Sequence, residues 1–315
     1  MAIPVIEISR IQPVAPYRLD LTVWALRRRP DNVVDRWDGK TYRRAFVVNE
    51  RVIEVAVNQE GDPEEPALVI LTDQNCASDE KIQITTRLTK MLGIEKDLSE
   101  FYKLAKRDKA LGPLARKFMG LKPPRLASLY EALLNGFTCQ QLSLTACIAI
   151  LNRLVLKYGP RLSPIDKDVH AFPRVADLAS LNVTDFRKAG YSGAKGRAIV
   201  ELSRAIAGGD LNLNSIESLD NRSALDALVA LRGVGRWTAE FVLLRGLGRI
   251  EIFPGNDVGA QNKLKSWLSL AQPPNYEETF RIIKKWYPFA GLVYFHLLLN
   301  SLAESGYLDL AAQPD

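Results

Sequence analysis

Hydrophobic and polar residues alternate along the first part of the chain, up to about residue 85. The stretches that carry this β pattern are Tyr17–Val23, Arg51–Val57 and Ala67–Thr72. Asn49-Glu50, directly before the second stretch, is typical of a turn. We therefore predict an antiparallel sheet in this region, with one or two helices, one of which could begin at Asp31.

The pattern changes to a helical period near Lys81 and keeps it along most of the remaining chain. Apolar residues then recur at intervals of three and four, which is typical of amphipathic helices. Predicted helices include Leu126–Phe137, Ala260–Leu270, Tyr276–Trp286 and Phe289–Ala303. The sequence thus predicts a mainly α protein, with a small antiparallel α/β domain over residues 1–105 and a helical domain over residues 106–315.

Residues 228–259 contain the most distinctive pattern of the helical part. The sequence LRGVG at residues 231–235 separates two helical stretches, and the second begins near Arg236. Paired glycines allow a tight turn and a close approach to a partner, and the first turn of the next helix exposes N–H groups that suit an anion. The sequence FPGND at residues 253–257 then places a carboxylate 22 residues after Gly235.

These residues resemble the helix–hairpin–helix of DNA glycosylases. The match is LxxLxGVGxxTA over residues 228–239, followed by an aspartate within FPxxD. GRWTA at residues 235–239 and LRG at 244–246 resemble the branch that removes alkylated bases, the 3-methyladenine DNA glycosylase II type. The resemblance implies an all-α glycosylase body with its helix–hairpin–helix at residues 225–245, and double-stranded DNA containing damaged bases as the partner.

The resemblance makes Asp257 the catalytic residue. Breaking an N-glycosidic bond builds positive charge on the sugar, and a nearby carboxylate stabilises that charge. A methylated purine is already a cationic leaving group, so the reaction needs no acid assistance from His170 or His296. The plain alternative is that Asp257 only caps the helix that begins at Val258.

The resemblance also assigns residues that bind DNA. In the hairpin these are Leu231, Gly233, Val234, Gly235 and Thr238. Gln140 and Gln141 lie in a stretch similar to the family's GQQxS sequence, with Cys139 in place of its glycine. In the family this region supplies the residue wedged into the gap that a flipped nucleotide leaves, and by position we favour Gln141. The alternative is that both amides cap helices or satisfy buried backbone groups.

Aromatic residues near the hairpin are candidates for the base pocket. Trp237 stands where bifunctional members of the family carry a nucleophilic lysine, so we expect base removal without strand cleavage. Trp237 and Phe241 lie one helical turn apart and could stack on an electron-poor base. Trp24 and Tyr294 are the other pocket candidates. The alternative is that such an aromatic pair belongs to the core. Ala290 stands where a related family segment has arginine. The contact that this arginine makes in the family is therefore lost or replaced in this chain.

Composition adds limits to this interpretation. The chain of 315 residues is 47% apolar and has a formal net charge of +6, which favours a globular protein with a polyanionic partner. The three cysteines, Cys76, Cys139 and Cys147, suit neither a disulfide framework nor a zinc site. None follows Cys147, so the iron–sulfur loop of some family members is absent. We expect no metal site and no cofactor, except a monovalent cation that the family's hairpin carbonyls can hold.

The expected location is intracellular. The first residues lack a signal-peptide pattern, and the apolar run Phe289–Leu299 is too short to span a bilayer. We expect a monomer that does not bind membranes.

Three functions fit these patterns. The first is a monofunctional glycosylase that excises alkylated purines such as 3-methyladenine. The second is a non-catalytic helix–hairpin–helix module that only binds DNA. The third is a glycosylase for another damaged or deaminated base, including a bifunctional enzyme for oxidised purines, which Trp237 disfavours. Asp257 favours an enzyme over a binding module, because a module would gain from lysine or arginine near the phosphates.

Overall fold

The computed structural model describes residues 5–163 and 169–308. The strands in them are β1 (Ile6–Ile11), β2 (Arg36–Trp37), β3 (Thr41–Val48), β4 (Arg51–Glu60) and β5 (Ala67–Thr72). They form one antiparallel sheet in the order β1-β5-β4-β3-β2. The predicted antiparallel sheet is confirmed.

The β3–β4 hairpin follows from its turn residues. Asn49 and Glu50 have φ angles of 47° and 61°, the left-handed conformations that a two-residue hairpin turn requires. Val48 pairs with Arg51 directly beside the turn. The turn predicted at residues 49–50 therefore sets the register of the two longest strands.

Two local predictions in this region are wrong. Most of the stretch predicted as a strand, Tyr17–Val23, belongs to helix α1 (Leu19–Arg27). Nearly all of α1 is buried between the sheet and the helical part, so its polar residues do not mark an exposed face. No helix begins at Asp31, because Oδ1 of Asn32 accepts the N–H groups of Val34 and Asp35 and holds a turn there.

The change to helices after the sheet is confirmed. The helices are α2 (Ser78–Met91), α3 (Ser99–Arg107), α4 (Leu111–Lys117), α5 (Leu129–Cys139), α6 (Leu144–Tyr158), α7 (Val175–Ala179), α8 (Val183–Lys188), α9 (Gly193–Ala207), α10 (Asn214–Glu217), α11 (Asn221–Val229), α12 (Arg236–Arg245), α13 (Val258–Leu268), α14 (Tyr276–Ile283) and α15 (Ala290–Glu304). A short 3₁₀ helix, Lys284–Trp286, follows α14. None of the helices within residues 5–163 and 169–308 has the length and apolar character needed to cross a bilayer.

The sheet and the helical part share their apolar cores. Val55 of β4 lies in one buried cluster with Leu133 of α5 and Phe241 of α12. Leu21 of α1 lies in a second cluster with Leu299 of α15. The division into domains at residue 105 stays a prediction, and it falls inside α3. Residues 1–4, 164–168 and 309–315 of the two predicted domains lie outside the described residues.

A buried ion network joins the sheet to α5. Arg44 of β3 is 1% exposed, and its two Nη groups donate to Oδ1 of Asp35 at 2.7 Å and to Oε2 of Glu131 at 2.6 Å. The hydroxyl of Tyr42 donates to the same oxygen of Asp35 at 2.8 Å. Burial raises the pKa of Glu131, and the charge of Arg44 opposes that rise. Each buried charge of the network therefore has an opposite charge beside it.

The bonding state of the cysteines differs in part from the prediction. Cys139 and Cys147 form a disulfide that the sequence did not predict, whereas Cys76 is free and buried. The two partners are brought together by the turn between α5 and α6, with their Cα atoms 4.8 Å apart. In the part of the chain that the structure describes, no three His, Cys, Asp or Glu side chains cluster in a way that could hold a metal ion.

Candidate active site

The hairpin at residues 230–235 joins α11 to α12, which begins at Arg236 as predicted. Gly233 has a φ of +79°, and a Cβ atom there would lie 2.9 Å from Cβ of Ala198, so only glycine fits. Gly235 differs, because a Cβ atom there would meet nothing within 4 Å. Gly235 is the N-cap of α12 and supplies no capping side chain, so this helix end keeps backbone N–H groups available to a ligand.

Asp257 lies beside this helix end and accepts three hydrogen bonds. Its Oδ1 accepts the backbone N–H of Ala260 at 2.8 Å, which is the N-cap bond of α13. Its Oδ2 accepts Nε1–H of Trp237 at 3.2 Å and the hydroxyl of Tyr294 at 3.0 Å. The capping bond uses one oxygen only, so capping and a catalytic role are compatible.

The donors to Asp257 are all neutral. It forms no ion pair among residues 5–163 and 169–308, although the amine of Lys263 lies nearby and donates to the carbonyl of Gly259 at 3.2 Å. Burial lowers the pKa of Lys263, and the charge of Asp257 opposes this. Burial and the charge of Asp257 both raise the pKa of Tyr294, which remains a protonated donor. Hydrogen bonds, not a paired cation, hold this carboxylate.

Three of the four predicted pocket residues come together. The ring centroids of Trp237 and Phe241 are 5.6 Å apart, and Tyr294 shares with Trp237 the same acceptor oxygen. Phe241 is only 2% exposed, whereas Trp237 and Tyr294 are half-buried. Trp24 is elsewhere: it is 9% exposed and stacks on Tyr307, with the ring centroids 6.0 Å apart.

The two candidate wedge residues have different surroundings. Nε2 of Gln140 donates to the carbonyl of Gly233 at 2.8 Å and to Oγ1 of Thr238 at 2.9 Å, so this amide is bound to the hairpin. Gln141 has a φ of +54° and is exposed, with no such bond to the hairpin. Its wedge role stays a prediction, and Gln140 corresponds to the alternative in which an amide satisfies backbone groups.

The predicted DNA-binding side chains of the hairpin are largely turned inward. Val234 is 5% exposed, Thr238 is 1% exposed, and Leu231 is half-buried. A DNA contact at Val234 or Thr238 would therefore use main-chain groups. Lys195 supports the neighbouring turn, since its Nζ donates to the carbonyls of Thr138 and Gln140 at 3.0 and 2.7 Å.

Comparison with known proteins supports the family resemblance. The model of the HhH-GPD superfamily of base excision DNA repair proteins matches residues 136–289, which include the hairpin and Asp257. Over this segment, slightly less than half of the chain, the sequence is similar to that superfamily. The DNA-3-methyladenine glycosylase of Bacillus subtilis is 29% identical over 215 residues, 68% of this chain and 71% of that one. The DNA-3-methyladenine glycosylase 2 of Escherichia coli is 24% identical, over 60% of this chain and 63% of that one.

Solved structures show the same fold. The 3-methyladenine DNA glycosylase from Archaeoglobus fulgidus superimposes with a TM-score of 0.82 at 23% identity, over 94% of this chain and 99% of that one. The 8-oxoguanine glycosylase/lyase of Clostridium acetobutylicum, in complex with double-stranded DNA, gives 0.72 at 19% identity, over 92% and 93% of the two chains. The superfamily recognised from the hairpin sequence and the mainly α fold with its small sheet are confirmed, and the relatives support a base-excision glycosylase.

Sequence reasoning missed Glu240, which lies on α12. It is 3% exposed, and its carboxylate accepts hydrogen bonds from Arg236, Tyr276 and the backbone N–H of Gly255. The available signal was a lone acidic residue among the apolar residues of α12. Its partners are up to 36 residues away along the chain, so only the folded arrangement shows what it binds.

Proposed function

We propose that this protein is a monofunctional DNA glycosylase that flips alkylated purines, such as 3-methyladenine, out of duplex DNA and hydrolyses their N-glycosidic bonds. The observation that supports this proposal most directly is the carboxylate of Asp257. It lies beside the first turn of α12, and its hydrogen-bond donors among the described residues are all neutral. The names of the relatives support the same class of reaction.

The hairpin would grip the DNA backbone. The open N-terminus of α12, behind Gly235, combines free N–H groups with the positive end of the helix dipole, which together suit a phosphate. Such contacts fix the position of the duplex without reading its sequence. Flipping a nucleotide out of the duplex costs a few kcal/mol, and less for a damaged base. Contacts to the DNA backbone and stacking of the flipped base in a pocket would offset this cost.

Asp257 would act when the glycosidic bond breaks. The sugar becomes an oxocarbenium ion as the base leaves, and the ionised carboxylate stabilises the positive charge at the anomeric carbon. The same carboxylate can orient the attacking water. Trp237 and Tyr294 fix one oxygen and the N-terminus of α13 fixes the other, so the carboxylate need not reorganise during the reaction.

Trp237 supports the monofunctional assignment. An indole cannot form the Schiff base through which bifunctional glycosylases cleave the strand. Instead Trp237 donates a hydrogen bond to Asp257 and packs against the tilted ring of Phe241. We expect borohydride trapping to yield no covalent DNA adduct, and a trapped adduct would contradict this assignment.

The test of the proposal is release of free base from methylated duplex DNA, measured by chromatography against a panel that includes uracil and hypoxanthine. Asp257→Asn should slow release about 100- to 1,000-fold, with DNA binding retained. Asp220→Asn is the matched control, because Asp220 also caps a helix, α11, and its variant should release base at the wild-type rate. Wild-type binding to DNA without release of any base would favour the non-catalytic module instead.

Two accompanying expectations stay predictions. One is the monovalent cation at the hairpin, where the carbonyl of Gly233 already accepts a hydrogen bond from Gln140. The other is the monomeric state of the protein, which sedimentation would measure.

A further inference from the structure

Glu240 accepts hydrogen bonds from three residues: one on its own helix α12, one on α14 and one in the loop before α13. Its Oε2 accepts the backbone N–H of Gly255 at 3.0 Å. Its Oε1 accepts the hydroxyl of Tyr276, at the start of α14, at 3.0 Å and Nε–H of Arg236, in the first turn of α12, at 3.1 Å. Both carboxylate oxygens are thus occupied in a site that is 3% exposed.

Gly255, two residues before Asp257, is held from both sides. Glu240 accepts its N–H, and Nε2 of Gln261 on α13 donates to its carbonyl at 2.8 Å. A Cβ atom at Gly255 would lie 2.8 Å from the ring of Tyr276, so the backbone packs directly on that ring. These contacts fix the peptide groups that lead into the carboxylate.

Glu240 also reaches the end of α12 that faces the DNA in the proposed function. The guanidinium of Arg236 stacks on the ring of Tyr276 at 4.8 Å, and its side chain is 55% exposed. Arg236 directly follows Gly235, whose surroundings are open. One buried carboxylate therefore connects the open helix end with the segment that carries Asp257.

We propose that Glu240 is a positioning residue for catalysis: it holds Pro254–Asp257 against α12, so that the carboxylate of Asp257 stays within reach of Trp237. The inference rests on the proposed function, which it extends by one residue. Displacing a reacting group by about 1 Å from its productive position can slow a reaction about 100-fold. A fixed position of the loop that carries Asp257 therefore matters for the rate.

A purely structural role fits Glu240 less well. Burying a carboxylate costs free energy, and a well-packed apolar side chain often stabilises such a site as well or better. Burial raises the pKa of Glu240, and its three hydrogen-bond donors oppose the rise. The geometry of the hydrogen bonds, in contrast, is specific to the loop that carries Asp257.

The experiment compares Glu240→Leu and Glu240→Gln with the wild-type chain. Glutamine can keep one acceptor for Gly255, whereas leucine keeps none. We expect base release under single-turnover conditions to slow about 100-fold in Glu240→Leu and about 10-fold in Glu240→Gln. The dissociation constant for a duplex with an abasic site should change less than about threefold, because the hairpin is intact. Hydrogen exchange over residues 253–257 should accelerate in both variants.

Glu131→Leu is the matched control. Glu131 is also 3% exposed and also bound to an arginine, Arg44, but it lies between the sheet and α5. This variant should lose stability while releasing base at nearly the wild-type rate. An equal loss of rate in Glu131→Leu, or a Glu240→Leu rate within twofold of wild type, would overturn the positioning role.

Failure of the proposed function gives a different result. If the wild-type protein releases no base from any substrate of the panel, the proposed function is wrong, and the catalytic meaning of Glu240 is wrong with it. Unchanged hydrogen exchange over residues 253–257 in an active protein would instead overturn the positioning role alone. If Glu240→Leu does not fold, Glu240→Gln and Tyr276→Phe provide the same comparison.

Discussion

A pair of carboxylates at the sheet and a single carboxylate at the hairpin are held in opposite ways in this molecule. Asp35 and Glu131, between the sheet and α5, are both bound by the guanidinium of Arg44. Asp257, beside the hairpin, is bound by an amide, an indole and a phenol, and by no cation within the described residues. The first group is nearly inaccessible, whereas Asp257 is half-buried.

The difference separates a carboxylate that supports the fold from one that is available for chemistry. A guanidinium bound directly to a carboxylate offsets much of its charge, so less of its field remains to act on a third group. Neutral donors hold a carboxylate in place and leave its net charge available to a cation that develops nearby. In the proposed function, that cation is the sugar of the flipped nucleotide.

The largest expected effect comes from breaking the ion network. Arg44→Met should reduce the free energy of unfolding by about 4 kcal/mol at neutral pH, because it leaves two buried carboxylates without their cation. Urea unfolding would measure this loss. Arg43→Met, at the exposed neighbouring position, is the control and should change stability by less than about 0.5 kcal/mol. A loss below about 1 kcal/mol in Arg44→Met would mean that the network does not act as described.

A second prediction concerns a buried group that has no counter-charge within the part of the chain that the structure describes. Burial beside Phe101 and Phe118 lowers the pKa of His296 to about 4. In the unfolded chain His296 is protonated as the pH falls below about 6.5, whereas in the folded protein it stays neutral down to about pH 4. Stability should therefore fall by about 3 kcal/mol across this window, in addition to the effect of the carboxylates. Urea unfolding at several pH values should show a flatter profile for His296→Phe, and identical profiles would contradict the assignment.

A third prediction tests the neutral donors of Asp257. Tyr294→Phe removes the hydroxyl that lies 3.0 Å from Oδ2 of Asp257. Base release should slow about tenfold, because one preorganised bond to the carboxylate is lost, while stability changes by about 1 kcal/mol. Tyr130→Phe is the control, since its hydroxyl bonds to Ser203 and not to Asp257. Equal rates in the two variants would show that the phenol does not support catalysis.

The smallest expected effect distinguishes the two hairpin glycines. Gly235→Ala should leave the urea midpoint almost unchanged, because its Cβ atom enters open space, but weaken DNA binding about threefold by crowding the phosphate. Gly233→Ala should destabilise the fold by about 1–2 kcal/mol, because of its positive φ and the contact with Ala198. Fluorescence anisotropy with a duplex containing an abasic site would measure binding. Unchanged affinity in Gly235→Ala would mean that DNA does not approach this glycine.

The sequence predicted the parts of the site that depend on short spacings. The hairpin, the start of α12 at Arg236 and the N-cap position of Asp257 follow from neighbouring residue types, and the structure has each of them. Prediction failed at α1, where burial on several sides removes the polar face that would mark a helix. The pocket candidate Trp24 also belongs to α1, and its environment depends on how that helix packs.

The sequence by itself determined the mainly α class, the antiparallel sheet and the residues of the hairpin, because turn chemistry and hydrophobic periodicity act over a few residues. Only the tertiary structure decided that Tyr294 and Trp237 meet at one oxygen of Asp257, and that Glu240 holds the segment before it. These contacts join residues 15 to 37 positions apart, and the packing of helices, which no local pattern encodes, sets their distances.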